Sequence, residues 1–262
     1  MNILDKIIDN KKEEVKLQKK NFPLRDLLEE IKNKDINKRD FYSALLKKDS
    51  VNIIAEIKKS SPSKGVILDD FRLLELAVDC ETGGASAISI LTDEKFFKGK
   101  LDYVPSVRDV TSIPLLRKDF IIDEYQIIQS KFYEADAILL IGRILDQKKL
   151  KDLLSVSIEY NLDVLYEVHD KKDVEKGIKA GVRIFGVNNR DLVNFKVDYQ
   201  NVVNLYREIS ANGLLVSESG IKSRRDIENL YNLGINNFLV GECIMRAKNR
   251  SRFIKDLRLI IF

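Results

Sequence analysis

Four charged side chains stand at or next to the ends of short apolar runs. Lys58 closes Ile53–Lys58, Lys118 closes Leu115–Lys118, Glu167 lies at the end of Val164–Val168, and Glu218 closes Leu214–Glu218. Glu56 precedes Lys58 by two positions, and Asn188 closes a fifth run, Ile184–Asn188. If these runs are strands, residues two apart share a face, so Glu56 and Lys58 point one way while Ala55 and Ile57 point the other. Burying an unpaired charge is costly, so charges on an inward face belong at a mouth where they meet partners. Ammoniums facing carboxylates in a partly closed space shift one another's pKa values, which suits acid/base work. Taken singly, each is an ordinary solvated strand-end charge, because Lys and Glu are mostly exposed. Recurrence at the ends of apolar runs is what points to a site. His169, with no placed partner, reads as a structural or surface residue.

Two glycine turns lie near the same ends. Ser217, Glu218, Ser219, Gly220 and Ile221 form one, and Val240, Gly241 and Glu242 the other. Glycine lets backbone amides come close to an anion, and the start of a following helix favours negative charge, so both turns are candidate phosphate sites. The loop Ser60, Ser61, Pro62, Ser63, Lys64, Gly65 offers hydroxyls, a lysine and a flexible glycine, suited either to a lid over an anionic substrate or to plain solvent exposure.

The elements that must position these residues follow from patterning. Further apolar runs at Ala87–Leu91, Ala137–Ile141 and Phe238–Gly241 bring the strand candidates to eight, separated by stretches with helical periodicity such as Leu150, Leu153, Leu154 and Ile158. This alternation predicts an α/β fold, a (β/α)8 TIM barrel with parallel strands and crossover helices. Alternate strands of a barrel supply each layer of inward side chains, so charges from strands one, three, five and seven reach similar depths at the carboxyl-terminal mouth. The rival, an open doubly wound sheet, usually carries a GxGxxG turn after its first strand, and none is present. Before the first strand, Ile3, Leu4, Ile7 and Ile8 share one helical face and Pro23 opens a second segment with Leu24, Leu27, Leu28 and Ile31. Residues 1–50 therefore read as a helical extension packed on the barrel, within a single domain spanning 1–262.

Composition narrows the chemistry. A length of 262 residues is close to the barrel norm of about 250. The net charge of +4 is spread along the chain, without the clustered basic stripe of a nucleic-acid binder. Cys80 and Cys243 lie far apart, and one histidine makes no imidazole metal centre, so neither disulfide nor metal is expected. Met1–Lys20 mixes both charges and predicts no signal or transit peptide, and no apolar run approaches the roughly 18 residues of a membrane span. A cytoplasmic enzyme is the expectation.

The stretches "IIAEIKKSSPSKG", "ISILTDEKFFKG", "LLRKDFIIDEYQI", "ADAILLI", "YEVHD", "FGVNNRDL", "VSESGI" and "FLVGECIMR" resemble, in order and spacing, those of indole-3-glycerol phosphate synthases, over about Ile3 to Arg246. The resemblance implies a barrel with an amino-terminal extension and a cofactor-free step of tryptophan biosynthesis. In that step 1-(2-carboxyphenylamino)-1-deoxyribulose 5-phosphate gives indole-3-glycerol phosphate, carbon dioxide and water. Carried over by position, the catalytic groups fall on Glu56, Lys58, Lys118, Glu167, Asn188, Glu218 and Ser219. The binding groups fall on Ser61, Phe97, Phe120, Arg190, Gly220, Leu239, Gly241 and Glu242. Lys118 is then the candidate acid, Glu167 the base, and Lys58 a second acid or the holder of the substrate carboxylate. Asn188, Glu56 and Glu218 orient substrate and lysines, and Phe97 and Phe120 pack on the aryl ring. The expected partner is a small phosphorylated substrate, with no nucleic acid or membrane, in a monomer or weak homodimer. Loss of Lys118 is expected to change stability little or to raise it. Glu134 departs from the pattern, standing where the family often has a small residue. A different phosphate-sugar barrel enzyme, or a barrel that only binds, are the rival readings.

Overall fold

Runs rich in β-branched residues with no polar face are satisfied only when both faces of the sheet are covered. The chain meets this with eight strands: β1 Asn52–Ile57, β2 Ala87–Leu91, β3 Leu115–Lys118, β4 Ala137–Ile141, β5 Asp163–Val168, β6 Ile184–Asn188, β7 Leu214–Glu218 and β8 Asn237–Val240. All pair in parallel with their sequence neighbours, and β8 pairs with β1, so the sheet closes into the expected TIM barrel. The computed structural model describes residues 3–34, 36–47, 50–190 and 198–259. Lys48 and Asp49 near the end of the 1–50 extension, Asp191 and Leu192 at the end of the FGVNNRDL motif, and both limits of the 1–262 span lie outside the described residues.

Strands β1 and β8 each begin and end one residue earlier than their apolar runs. The first residues, Asn52 and Asn237, are register partners in the barrel floor, where Asn52 Nδ2 donates to Asn237 Oδ1 at 2.9 Å and a polar residue thus stands buried ahead of each apolar run. Lys58 and Gly241 therefore stand just past the last ladder residue. Along β1, Ile53, Ala55 and Ile57 pack outward under the helices, while Ile54 joins Leu116, Leu165, Val216 and Leu239 inside the barrel. That alternation fixes the inward direction of Glu56.

At three of the turns from a strand end into its helix, an aspartate caps the helix. Asp123, Asp146 and Asp170 accept backbone N–H groups at the starts of Glu124–Phe132, Gln147–Glu159 and Lys171–Ala180. Such caps satisfy donors with no partner inside the helix and are worth about 1 kcal/mol each. Past Glu124–Phe132 the chain passes through Glu134 at φ 62°, a left-handed position that favours glycine. Here the larger side chain gains Arg108 and Lys34 as ion-pair partners.

The extension comprises α1 Ile3–Asn21, α2 Leu24–Lys32 and α3 Phe41–Ala44. Phe41 and Leu45 pack with Ala87, Ala137 and Ile184, closing the amino-terminal end of the barrel. Leu27 of α2 packs with Val15, Tyr125 and Ile128 against the helix after β3. The buried face of α1 is Leu4, Ile7, Lys11 and Val15, so the apolar stripe contains a lysine. Lys11 Nζ lies 3.1 Å from Asp93, 2.9 Å from Asp119 and 3.0 Å from Glu14, with no side-chain exposure of its own. Asp93 caps the short helix Glu94–Phe97, and Asp119 follows Lys118, so one ammonium ties α1 to two loops of the mouth.

Candidate active site

Alternation along four odd-numbered strands delivers Glu56, Lys118, Glu167 and Glu218 to one inward layer. Lys118 Nζ lies 2.9 Å from Glu218 Oε2 and 3.5 Å from Glu167 Oε2. Lys58, one residue past β1, is not a member of that layer; it turns back and pairs with Glu56. The layer therefore holds Glu56 where the apolar runs alone suggested Lys58. Asn188 sits opposite Glu218 in the β6–β7 register and accepts the Arg190 backbone N–H at 3.0 Å.

These groups line a cavity of about 710 Å³ at the carboxyl-terminal mouth. Every residue carried over from the resemblance contributes to its wall, including Ser61, Leu239 and Glu242. Phe97 and Phe120 face each other with ring centroids 6.0 Å apart, forming an aromatic wall. On another side lie the two turns. Ser219 and Gly220 have φ 65° and 96°, both in the left-handed region. Gly241 immediately precedes the helix Glu242–Arg246.

Gly241 also has a second reason to be glycine: an added Cβ would stand 2.5 Å from Glu56 Oε2. Gly186, in the middle of β6, repeats this logic, since its Cβ would overlap Glu218 Oε1. The sequence carried a signal for Gly186 that was not used, because glycine inside a strand marks close approach of another group. Also missed were Ile3, Leu4 and Ile7 of α1, which roof the cavity, and the cations Lys222 and Arg246 in its wall. Of the two readings of His169, structural or surface, the buried one holds: Nε2 lies 3.6 Å from Glu167 Oε1. The Ser60–Gly65 loop is built as a short antiparallel ribbon, Ser60–Ser61 with Gly65–Val66, and Ser60 Oγ donates to Gly65 O at 2.9 Å.

A profile described as indole-3-glycerol phosphate synthase matches residues 4–257. The chain belongs to the indole-3-glycerol phosphate synthase family. Similar proteins bearing that name come from Campylobacter jejuni, 43% identical over 97% of this chain and 99% of the relative, and from Thermoanaerobacter pseudethanolicus, 45% identical over 98% of each. Among solved structures, KGPDC from Streptococcus mutans superposes with a TM-score of 0.63 at 12% identity, over 80% of this chain and 96% of that one. A 3-hexulose-6-phosphate synthase does so with a TM-score of 0.63 at 13% identity, over 79% and 97%. At such identities these two likenesses show the barrel fold alone. No helix among the described residues is long and apolar enough to cross a membrane.

The electrostatics of this family member follow from three carboxylates surrounding one ammonium. Burial works against the Lys118 charge, but Glu218, Glu167 and Glu56 together hold its proton more tightly than in water. Burial also works against the Glu56 carboxylate, and there Lys58 and Lys118 win, so it stays ionised below the ordinary range. Glu218 is the site of the imbalance. Burial, together with the nearby Glu167 charge, outweighs Lys118 and pushes it up to about 7.

The sign of the consequence for stability is fixed. A carboxyl raised in the folded state stabilises fully below its unfolded value, and that contribution is lost as pH rises through about 7. Glu218→Gln keeps a neutral side chain at every pH. Its stability relative to the parent protein should therefore increase from pH 5 to pH 8.5, by on the order of 3 kcal/mol. Urea unfolding at both pH values measures it, and a difference that does not change with pH would show that Glu218 is ionised throughout.

Proposed function

We propose that this chain converts 1-(2-carboxyphenylamino)-1-deoxyribulose 5-phosphate to indole-3-glycerol phosphate, carbon dioxide and water. The observation that carries the reading is the Lys118 ammonium, set among Glu56, Glu167 and Glu218 between an aromatic wall and two glycine turns. The phosphate sits at the amides after Ser219, Gly220 and Gly241, with Arg190 and Ser61 alongside, and the aryl ring lies against Phe97 and Phe120.

In this arrangement the aryl carbon attacks the ribulose carbonyl, and Lys118 protonates the oxygen as its charge develops. Lys58, outside the charged layer and paired with Glu56, holds the substrate carboxylate until the carbon–carbon bond breaks and carbon dioxide leaves. The bonding electrons restore the aromatic ring. Dehydration sends a second proton to the same oxygen. Glu218, hydrogen-bonded to Lys118 and pushed up to about 7, returns a proton to Lys118 between the two steps. Glu167 takes the proton lost on the nitrogen side of the new ring. Asn188 and Ser219 orient the ribulose hydroxyls.

A divalent cation at this centre would have to displace an ammonium 2.9 Å from Glu218, so the reaction is expected to need none. Dialysed, chelator-treated enzyme given the carboxyphenylamino substrate should produce indole fluorescence at the untreated rate. No indole signal would overturn the assigned reaction, and activity restored only by a metal would overturn the acid assigned to Lys118.

A further inference from the structure

His169 is the only histidine in the chain, and it follows Glu167 by two residues at the end of β5. It stands one residue past the last strand residue, Val168, and its imidazole lies beside the Glu167 carboxylate. Nε2 lies 3.6 Å from Glu167 Oε1, while Glu167 Oε2 faces Lys118 Nζ at 3.5 Å. The two carboxylate oxygens thus have separate neighbours. The ring is held in place from behind, since the His169 backbone N–H donates to Asp173 Oδ2 at 3.2 Å on the helix Lys171–Ala180. Its side chain is 4% exposed, and among the described residues neither ring nitrogen has a hydrogen-bond partner. A buried N–H without an acceptor is costly, and 3.6 Å is just beyond hydrogen-bond length from one. A small movement of Glu167 towards the ring closes that gap, and apo sites commonly tighten when substrate binds.

We propose that His169 is a positioning residue for Glu167, donating through Nε2–H to Oε1 and so aiming Oε2 at the nitrogen side of the substrate. This rests on Glu167 being the base of the proposed reaction. Glutamate carries a long, flexible stem, and a base reaching for one ring proton gains rate by being confined to one orientation. Lys118 alone does not provide this, because its ammonium is also bonded to Glu218 and is engaged in its own proton transfers.

A sole histidine makes the test direct, because its imidazole nitrogens give the only signals of their kind in a long-range 1H–15N correlation spectrum. The expected result is a proton on Nε2, protected from solvent exchange in the parent protein and losing that protection in Glu167→Ala. A proton on Nδ1 with Nε2 bare, or protection unchanged in Glu167→Ala, would overturn the proposal. Neither measurement requires turnover, so the contact can fail while the assigned reaction stands, and the reverse. Kinetics supply the second arm. His169→Leu should lower kcat about 10- to 100-fold with KM within about twofold, and His169→Gln, whose amide reaches a similar distance, should restore most of the loss. Wild-type kcat in His169→Leu, or equal impairment in both variants, would reduce His169 to packing. If His169→Leu does not fold, the spectra of the parent protein and Glu167→Ala decide.

Discussion

Lys118→Ala should lower kcat by about 10² to 10⁴, the range typical of a lost general acid. Lys118 is the ammonium that three carboxylates share, and an interaction made in the transition state lowers kcat and kcat/KM together. The structure revises the companion expectation that stability would be unchanged or raised. Removing Lys118 leaves Glu56, Glu167 and Glu218 buried with their shared counter-charge gone, and breaking a buried pair costs about 3–5 kcal/mol. The cost should shrink at low pH as a carboxyl takes up a proton, so rates are to be compared at a temperature where circular dichroism shows the variant folded. Lys248→Ala is the control: Lys248 is exposed and outside the cavity wall, and its loss should change neither quantity. Wild-type kcat in Lys118→Ala would move the acid elsewhere, first to Lys58.

Gly186→Ala is expected to reduce kcat/KM by on the order of 10², although the substitution adds a single methyl group and no charge. That methyl would occupy the place of Glu218 Oε1 and also stand 3.2 Å from Leu165 Cδ1. Glu218 is 1% exposed and bonded to Lys118 through its other oxygen, so displacing it disturbs Lys118, the proposed acid. Overpacking of this kind costs about 1–3 kcal/mol as well. Two comparisons separate displacement from general destabilisation. Gly181→Ala strains a left-handed helix end at φ 86° with open space around it, and should lower stability while leaving kcat/KM alone. Glu218→Asp shortens the carboxylate, so Gly186→Ala should do less further harm in that background than in the parent protein. Equal losses in both backgrounds would mean that Gly186 and Glu218 do not meet as described.

Much of the barrel was legible because its physics is local. Apolar runs separated by helical periods can be read without coordinates, whereas the polar first residues of β1 and β8, Asn52 and Asn237, pair with each other across 185 residues of chain. The roof over the cavity was half legible. Ile3, Leu4 and Ile7 announce a face, but the place of Lys11 on that same face has no reason in the sequence and gains one only with Asp93 and Asp119 against it. Glu134 ran the other way, since its oddity was visible in the sequence and its reason, a left-handed backbone with two cationic neighbours, was not.

The sequence by itself determined which residues could act, because strand alternation and run ends are properties of a single segment: Lys58, Lys118, Glu167 and Glu218 stand out at the run ends, with Glu56 on the face of Lys58, before any contact is known. Tertiary structure alone decided how they pair. Closure of the barrel placed Glu56 rather than Lys58 in the charged layer, set Gly186 against Glu218, and brought His169 beside Glu167. The physical reason is that direction is fixed by the local backbone, whereas depth and partner depend on the register between strands far apart in sequence. The proton affinity of Glu218 likewise depends on distance and burial, and neither exists until the barrel has closed.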